Sequence, residues 1–299
     1  MASRVTARRA LVVLAVLVAA LCTHCAADNV TDTIAFLRGL QTVFPDYLAA
    51  TSSNDTDYCN WEWATANSVV CQASTGLNIL VRDGTVAASS QLPEVTGDDV
   101  VAASIVLDVA SGGPLTLPAS WSRLSQLVHL YLYNGFAGTL PAAWGRLPAL
   151  RMLQLQGNAL TGTLPAAWAS LSSIMALRLY DNALSGTLPA AWASFSSPMI
   201  LDLHNNQLTG SLPAEWSALR LVLFNVSGNH FCGCEPDSWK AVPVLHNAVK
   251  DMPVAWANCS TANSCTYPDV TPSNAAGSPA GCALAAVVAA AVLACLATA

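Results

Sequence analysis

Charge is scarce in this sequence. Asp, Glu, Lys and Arg together make up only 10% of its 299 residues, against about 25% in an average globular domain. Only 12 residues are Lys or Arg, against 18 that are Asp or Glu, so the formal net charge is −6. A chain this poor in cations lacks the basic patch that binding to nucleic acid or to anionic lipid requires. We therefore expect no nucleic-acid partner.

Two further absences narrow the class of protein. Between residues 28 and 281 no apolar run is long enough to cross ~30 Å of hydrocarbon, which excludes a polytopic membrane protein. The sequence also has no nucleophile elbow, no glycine-rich phosphate loop and no His or Cys spacing typical of a metal site. Asp202 and His204 could pair as a base and its orienting carboxylate, but no nucleophile motif accompanies them. We expect neither an enzyme nor a metal or cofactor.

The amino-terminal end has the pattern of a secretory signal peptide over residues 1–27. Arg4, Arg8 and Arg9 form its cationic start, an apolar run follows, and small residues at 25–27 suit cleavage. The run is too short to span a bilayer comfortably, and an uncleaved anchor helix is the alternative. Arginines but no acidic residue leave with the signal, so the mature chain is more acidic than −6.

The carboxy-terminal end has the pattern of a GPI-attachment signal. Residues 282–299 form an apolar tail with no Lys or Arg after it, and residues 271–281 supply a short spacer of small and polar residues. Small residues, a spacer and an apolar tail of this length direct GPI attachment. Asn274 is the expected attachment residue, with Ser273 and Ala276 as close alternatives. A retained membrane helix is the competing interpretation, but such a helix normally has a cationic cytoplasmic flank.

A periodic unit fills the centre of the chain. Tryptophans recur 23 or 24 residues apart, at Trp121, Trp144, Trp168, Trp192 and Trp216. Leu-Pro pairs begin at residues 117, 140, 164, 188 and 212. Asparagines with the same period are Asn134, Asn158, Asn182 and Asn206. The unit at residues 150–171 reads LxxLxLxxNxL followed by xGxLPxxW, which resembles the leucine-rich repeat.

Each recurring residue has a structural role. Leu153 and Leu155 alternate with exposed positions, as in a short parallel strand. The asparagine turns the chain out of that strand and bonds loop backbone of the neighbouring coil, so we expect an asparagine ladder. Pro165 suits an extended segment without a donor, and the tryptophan fills the wide end of the coil. The sequence predicts an α/β solenoid: an arc with a concave parallel β-sheet, an extended and 3-10 convex side, and disulfide-bonded caps at both ends.

A helix and cysteines are expected to cap this arc. Ile34, Leu37, Leu40 and Phe44 follow helical spacing and Pro45 ends that helix, which would cover the first coil. The cysteines that remain after removal of both end signals are even in number, which favours disulfides in a secreted chain. They are Cys59, Cys71, Cys232, Cys234, Cys259 and Cys265.

The pairing of these cysteines is open. Cys59 and Cys71 would close a short loop before the repeats. The other four allow three pairings, of which we prefer 232–259 with 234–265. A zinc site is the competing interpretation, disfavoured by secretion and by the absence of a nearby His pattern. N-x-S/T sequons mark the expected N-glycosylation sites, which are Asn29, Asn54, Asn225 and Asn258.

These features divide the chain into six segments. Upstream of the first tryptophan, Ile105, Leu107 and Val109 alternate like one further, degenerate strand, whereas residues 72–100 show no repeat. The predicted segments are a signal peptide at 1–27, an N-terminal cap at 28–100, repeats at 101–231, a Cys-rich cap at 232–270, a spacer with the GPI site at 271–281 and a cleaved tail at 282–299.

The repeat motif resembles that of a known family. Gly162–Trp168 and Gly186–Trp192 both read GTLPAAW, and tryptophan after LPxx, together with a signal peptide and a GPI-type tail, is similar to the promastigote surface antigens of trypanosomatid parasites. The resemblance implies a GPI-anchored coat glycoprotein that contacts host cells or resists host defence. The long Thr/Ser-rich stalk frequent in that family is missing here. The block at residues 59–71 resembles the N-terminal cap of plant receptor-type repeat proteins. The segment from Asn229 to Cys234 resembles the C-terminal cysteine flank of extracellular leucine-rich-repeat proteins.

A ligand is expected on the concave face, where such solenoids usually bind. Exposed strand positions form columns about 4.8 Å apart, and tyrosine is favoured at interfaces. A glycan on Asn225 would occupy the last strand, so the ligand would contact the first three. A merely solvated sheet is the alternative. The candidate ligand-binding residues are Tyr131, Tyr133, Gln154, Gln156, Arg178, Tyr180, Asp202 and His204.

The sequence therefore predicts a non-enzymatic surface glycoprotein for protein recognition. It would sit on the outer leaflet of the plasma membrane through its GPI anchor, which would be its only contact with the bilayer. Its partner would be a host or other extracellular protein, and its role adhesion or shielding. The alternative is a freely secreted inhibitor or receptor-like protein that binds a partner enzyme.

Overall fold

The computed structural model of the chain describes residues 30–45, 69–72, 76–87, 90–97 and 100–252. The predicted signal peptide, the GPI region with Asn274, and Cys59, Cys259, Cys265, Asn29, Asn54 and Asn258 lie outside these residues.

Leucines that alternate with exposed residues form one eight-stranded sheet. Its strands, in spatial order, are β1 (Val69–Gln72), β2 (Gly76–Thr85), β3 (Ser104–Ser111), β5 (His129–Tyr133), β7 (Met152–Gln154), β9 (Ala176–Arg178), β11 (Met199–Asp202) and β13 (Leu221–Asn225). β1 pairs antiparallel with β2, and every later neighbour is parallel. Inward residues such as Leu130 and Leu132 are fully buried, so the predicted parallel sheet is confirmed.

A second parallel sheet and a row of 3-10 helices complete each coil. The strands are β4 (Leu115–Thr116), β6 (Phe136–Thr139), β8 (Ala159–Thr163), β10 (Ala183–Gly186), β12 (Gln207–Gly210) and β14 (His230–Phe231). The 3-10 helices are Ala119–Arg123, Ala142–Arg146, Ala166–Ser170, Ala190–Ser194 and Ala214–Ala218. Each follows the proline of a Leu-Pro pair, which is extended at φ near −70°. The repeat architecture is thus a solenoid with 3-10 turns.

Tryptophans stack through the core as one column. From Trp121 to Trp216, successive rings lie 6.2–6.5 Å apart and within 14° of parallel. Each indole N–H donates to the proline carbonyl of the preceding coil; Trp168, for example, bonds Pro141 at 2.9 Å. The buried indole therefore keeps its hydrogen bond, and the Leu-Pro pair supplies the acceptor.

Asparagines form the expected ladder, with one correction. The rungs are Asn158, Asn182, Asn206 and Asn229, whose Oδ1 atoms accept backbone N–H groups of the preceding coil. Asn134 is not a rung. It adopts φ +60°, and its amide donates to Asp108 Oδ1 at 2.8 Å. Gly135 takes the rung position there. A larger residue would not fit at this position, because a Cβ would lie 2.7 Å from Val109 Cβ. The first unit is one residue shorter in its turn, which shifts its asparagine out of register.

Repeat geometry extends further toward the amino terminus than the sequence pattern indicated. Strand β2 pairs in parallel with β3, which confirms the degenerate strand around Leu107 and adds a coil before it. Pro93 of a Leu-Pro pair accepts the indole N–H of Trp121 at 2.9 Å. The interpretation that residues 72–100 carry no repeat was wrong, because this coil has no tryptophan of its own. Phe36 stands in that place, edge-on to Trp121 at 5.7 Å.

Helices cover the two ends of the described stack. α1 (Val30–Val43) buries Phe36, Leu37 and Leu40 and ends before Pro45, as its spacing predicts. At the other end Trp239, in α2 (Asp237–Lys240), makes the same indole hydrogen bond by donating to the Pro213 carbonyl, and its ring lies edge-on to Phe224. α3 (Pro243–Val249) follows it. Cys232 and Cys234 are disulfide-bonded. Because Cys259 and Cys265 lie outside the described residues, their pairing stays a prediction.

Candidate functional site

Side chains of the concave sheet line up in columns across the strands. The strand register aligns Tyr131 with Gln154, Arg178, Asp202 and Asn225 in the middle column. The column on one side holds His129, Met152, Ala176, Ile200 and Leu223. The column on the other side starts with Asp108 and Tyr133, which pair between β3 and β5. The structure therefore brings the candidate residues of different repeats onto one face.

Two tyrosines and two glutamines form a network on β5 and the neighbouring coil. The Tyr133 hydroxyl donates to Gln154 Oε1 at 2.8 Å, and Gln156 Nε2 donates to the same oxygen at 3.4 Å. The ring of Tyr131 lies 6.4 Å from that of Tyr133, and its hydroxyl donates to Met152 Sδ at 3.1 Å. Gln154 is only 8% exposed, so it orients Tyr133 instead of presenting surface to a ligand.

Burial moves both phenols of this network further from ionisation, since a phenol is already protonated at physiological pH. Loss of solvation raises the pKa of Tyr131, against the charge of Arg178, which lowers it. Loss of solvation also raises the pKa of Tyr133, with Tyr131 adding to the rise. Both residues are therefore neutral hydroxyl donors with rigid rings at physiological pH. They suit close polar and aromatic contact more than ionic contact.

A depression of about 450 Å³ lies beside these tyrosines. Its lining includes Leu80, Arg82, Val106, Asp108, Tyr131 and Tyr133. Strands β2 and β3 supply the first four, which sequence reasoning did not place in the site. The Leu-Pro pair at residues 92 and 93, about one repeat length before the pair at 117, was the signal that could have identified the extra coil and its strand.

A second group of side chains lies on β9 and β11 and on the residues that directly follow them. The rings of Tyr180 and His204 stack at 4.4 Å with planes 12° apart. His204 Nδ1 contacts Asp202 Oδ1 at 2.6 Å. Arg178, the neighbour of Asp202 across the strands, forms no ion pair among the described residues. The carboxylate thus orients the histidine against the tyrosine, and the guanidinium remains open to a ligand.

The described residues hold neither a metal-binding cluster nor a helix that could span a membrane. Nowhere within residues 100–252 or the shorter described stretches do three His, Cys, Asp or Glu side chains group so as to hold a metal ion. Among the helices of the described part, none combines the length and apolarity needed to cross a membrane. What the concave sheet can do chemically is hydrogen-bond, stack and pack against another molecule.

Comparison with known proteins agrees with this architecture. A family model described as Leucine Rich Repeat matches residues 198–219. The solved PEPR1–AtPEP1 structure is 24% identical with a TM-score of 0.51, over 69% of this chain and 32% of that one. A Pollen Receptor Kinase 3 structure is 25% identical with a TM-score of 0.51, over 67% and 97%. Among curated protein sequences, none matches this chain.

The chain is shorter than several of the receptors it matches. It spans between 26% and 32% of the first four receptor structures. The similarity therefore concerns the repeat stack and not a whole receptor. The tryptophan and asparagine columns and the parallel strands, together with the family match at residues 198–219, show that the described residues have a leucine-rich-repeat fold.

Proposed function

We propose that this protein is an extracellular recognition module that binds a protein or peptide ligand across the concave sheet. The observation that carries the proposal is the set of Tyr131, Tyr133 and Tyr180 on the concave sheet, each held by a hydrogen bond or a ring contact with a neighbouring side chain. Tyrosine supplies large contact area at a low cost in side-chain entropy. The structural likeness to receptor kinases supports the same class of function.

The low charge of the chain determines how such binding would proceed. A chain with only 10% charged residues exerts little long-range steering, so association would be slow and specificity would come from short-range contacts. Arg178 is the charged group best placed to contact the ligand directly. We infer no catalytic role.

Anchoring to the outer leaflet of a plasma membrane through GPI at Asn274 is part of the proposal. The end signals in the sequence and the resemblance to promastigote surface antigens support it, and they favour adhesion to host cells or shielding from host defence as the biological role. Phosphatidylinositol-specific phospholipase should release the protein from intact cells. Retention after that treatment, with the carboxy terminus detected on the cytoplasmic side, would contradict GPI anchoring. Secretion without any anchor would favour the alternative function, a secreted inhibitor of a partner enzyme.

The ligand-binding face can be tested by substitution. The released protein is used to capture partners from host-cell and serum proteins, and Tyr131→Ala with Tyr180→Ala is then compared with the parent. Loss of a central aromatic contact typically weakens binding by about 2 kcal/mol or more, roughly 30-fold. The matched control is Arg146→Ala, which removes an exposed side chain from a 3-10 helix. Unchanged affinity in the tyrosine variant would place the ligand elsewhere.

A further inference from the structure

The middle column of the concave sheet runs across the strands from the depression to an arginine. The strand register aligns four successive members of this column, which are Val106, Tyr131, Gln154 and Arg178. Neighbouring strands lie about 4.8 Å apart, so three steps separate the first and last members by about 14 Å. The column therefore holds two different chemical environments at a fixed separation.

The depression suits a large apolar side chain. Its apolar and aromatic lining includes Leu80, Val106, Tyr131 and Tyr133. Arg82 and Asp108 bring opposite charges to it, so it has no net charge that would favour an ion. Its volume of about 450 Å³ lies within the range of ligand pockets, about 300–1,000 Å³. A large aliphatic or aromatic side chain of a ligand is the matching occupant.

Arg178, at the other end of the separation, is a cation without an ion pair among the described residues. The carboxylate next to it in register, Asp202, contacts His204 Nδ1 at 2.6 Å instead. Burial raises the pKa of Tyr131 and of Tyr133, and the charge of Arg178 opposes both rises, as expected for a guanidinium on the same face. A guanidinium binds a carboxylate through two parallel hydrogen bonds. An acidic side chain of a ligand is therefore its complement.

We propose that the ligand is an extended peptide segment that lies across β3 to β9, with a large apolar side chain in the depression and an Asp or Glu carboxylate on Arg178. An extended chain advances about 3.3 Å per residue, so about four residue steps cover the separation. Side chains alternate in direction along an extended chain, so residues four apart can both face the sheet. An α-helix would need about ten residues for the same span. The inference rests on the proposed function and adds the chemistry of its ligand.

The full chain, produced in eukaryotic cells and purified in mild detergent, is used to select binders from random peptides displayed on phage. Selected peptides should share a large apolar residue and an acidic residue four positions from it. In synthetic copies, alanine in place of the apolar residue should weaken binding about 30-fold. Moving the acidic residue to the next position turns it away from the sheet and should weaken binding about 10-fold. These changes in the peptide leave the fold of the protein untouched.

Variants of the protein test each end separately. Arg178→Glu should select Lys or Arg at the position of the acidic residue, because it reverses the charge that the ligand meets. Val106→Lys places a charge in the depression and should abolish selection of the apolar residue, and Leu80→Lys should have the same effect if the first variant does not fold. The matched control is Arg146→Glu, which makes the same charge reversal at an exposed position of a 3-10 helix and should leave the selected peptides unchanged.

The outcomes separate this inference from the proposed function. Failure to select any peptide, selected peptides without a shared acidic residue, a helical spacing, or unchanged selection by Arg178→Glu would each overturn the inference. The proposed function survives these results if a captured protein partner still loses affinity when Tyr131 and Tyr180 are replaced by alanine. If neither a peptide nor a protein from host cells or serum binds the native chain, the proposed function fails together with the inference.

Discussion

Replacing Asn182 by alanine removes one rung of the asparagine ladder. Asn182 Oδ1 accepts the Leu160 N–H at 3.1 Å, and Nδ2 donates to the carbonyls of Leu155, Leu179 and Tyr180 at 2.9, 3.0 and 3.1 Å. The Leu155 and Leu179 carbonyls keep a bond from a neighbouring rung, but the side-chain acceptor of Leu160 is lost. An orphaned buried donor costs about 1–3 kcal/mol, and with the weakened carbonyls we expect a loss of about 2–4 kcal/mol.

Urea denaturation followed by tryptophan fluorescence measures this loss as a lower midpoint. The matched control is Asn134→Gly. Asn134 has φ +60°, which glycine adopts freely, and its side chain makes an exposed hydrogen bond to the Asp108 carboxylate. We expect less than about 1 kcal/mol there. Equal losses in the two variants would show that the rungs are wrongly assigned, and no loss for Asn182→Ala would refute the hydrogen-bond reasoning.

Three further perturbations test other parts of the stack. Phe36→Ala removes a buried ring from the end of the tryptophan column and should cost about 3–5 kcal/mol, seen as a lower urea midpoint with loss of helical signal. Gly186→Ala places a Cβ 2.8 Å from Thr163 Cγ2 at φ +78°, so we expect a loss of about 1–3 kcal/mol. Thr163→Ser should recover part of that loss, and no recovery would contradict the steric account. Burial, with a smaller effect from Arg151, lowers the pKa of His129. As the pH falls, His129 is therefore protonated at a higher pH in the unfolded chain than in the folded one. The free energy of unfolding should consequently decrease below about pH 6.5. His129→Gln should flatten that part of the pH profile, and an unchanged slope would refute the assignment.

The strands and the tryptophan column were predictable because each depends on one repeating unit. A leucine equivalent to Leu153 and a tryptophan equivalent to Trp168 occur in nearly every coil, so the burial of these positions follows from the period. The first coil was missed because it borrows Phe36 from a helix distant in sequence. Asn134 was placed in the ladder because it lies one period of 24 before Asn158, although the turn of its own unit is one residue shorter and puts Gly135 at the rung position.

The candidate site, like the fold, was predictable from the sequence only in part. The sequence placed Tyr131, Arg178 and Asp202 in one column, which the strand register confirms. It could not show that Gln154 is buried under Tyr133, that His204 stacks on Tyr180, or that β2 and β3 supply a depression beside them. These features depend on χ angles and on neighbours from other coils.

The sequence by itself determined the solenoid, since a unit that cannot bury its own face must stack on its neighbours. It also determined the period, the inward leucines and the low charge of the chain. Only the tertiary structure decided where the stack begins and which asparagines are rungs. It also showed which polar side chains support others and that the last strand of the sheet exposes Val222 and Leu223. The reason is physical: periodicity specifies what each coil repeats, while ends, steric exclusions and side-chain contacts arise between residues that no period relates.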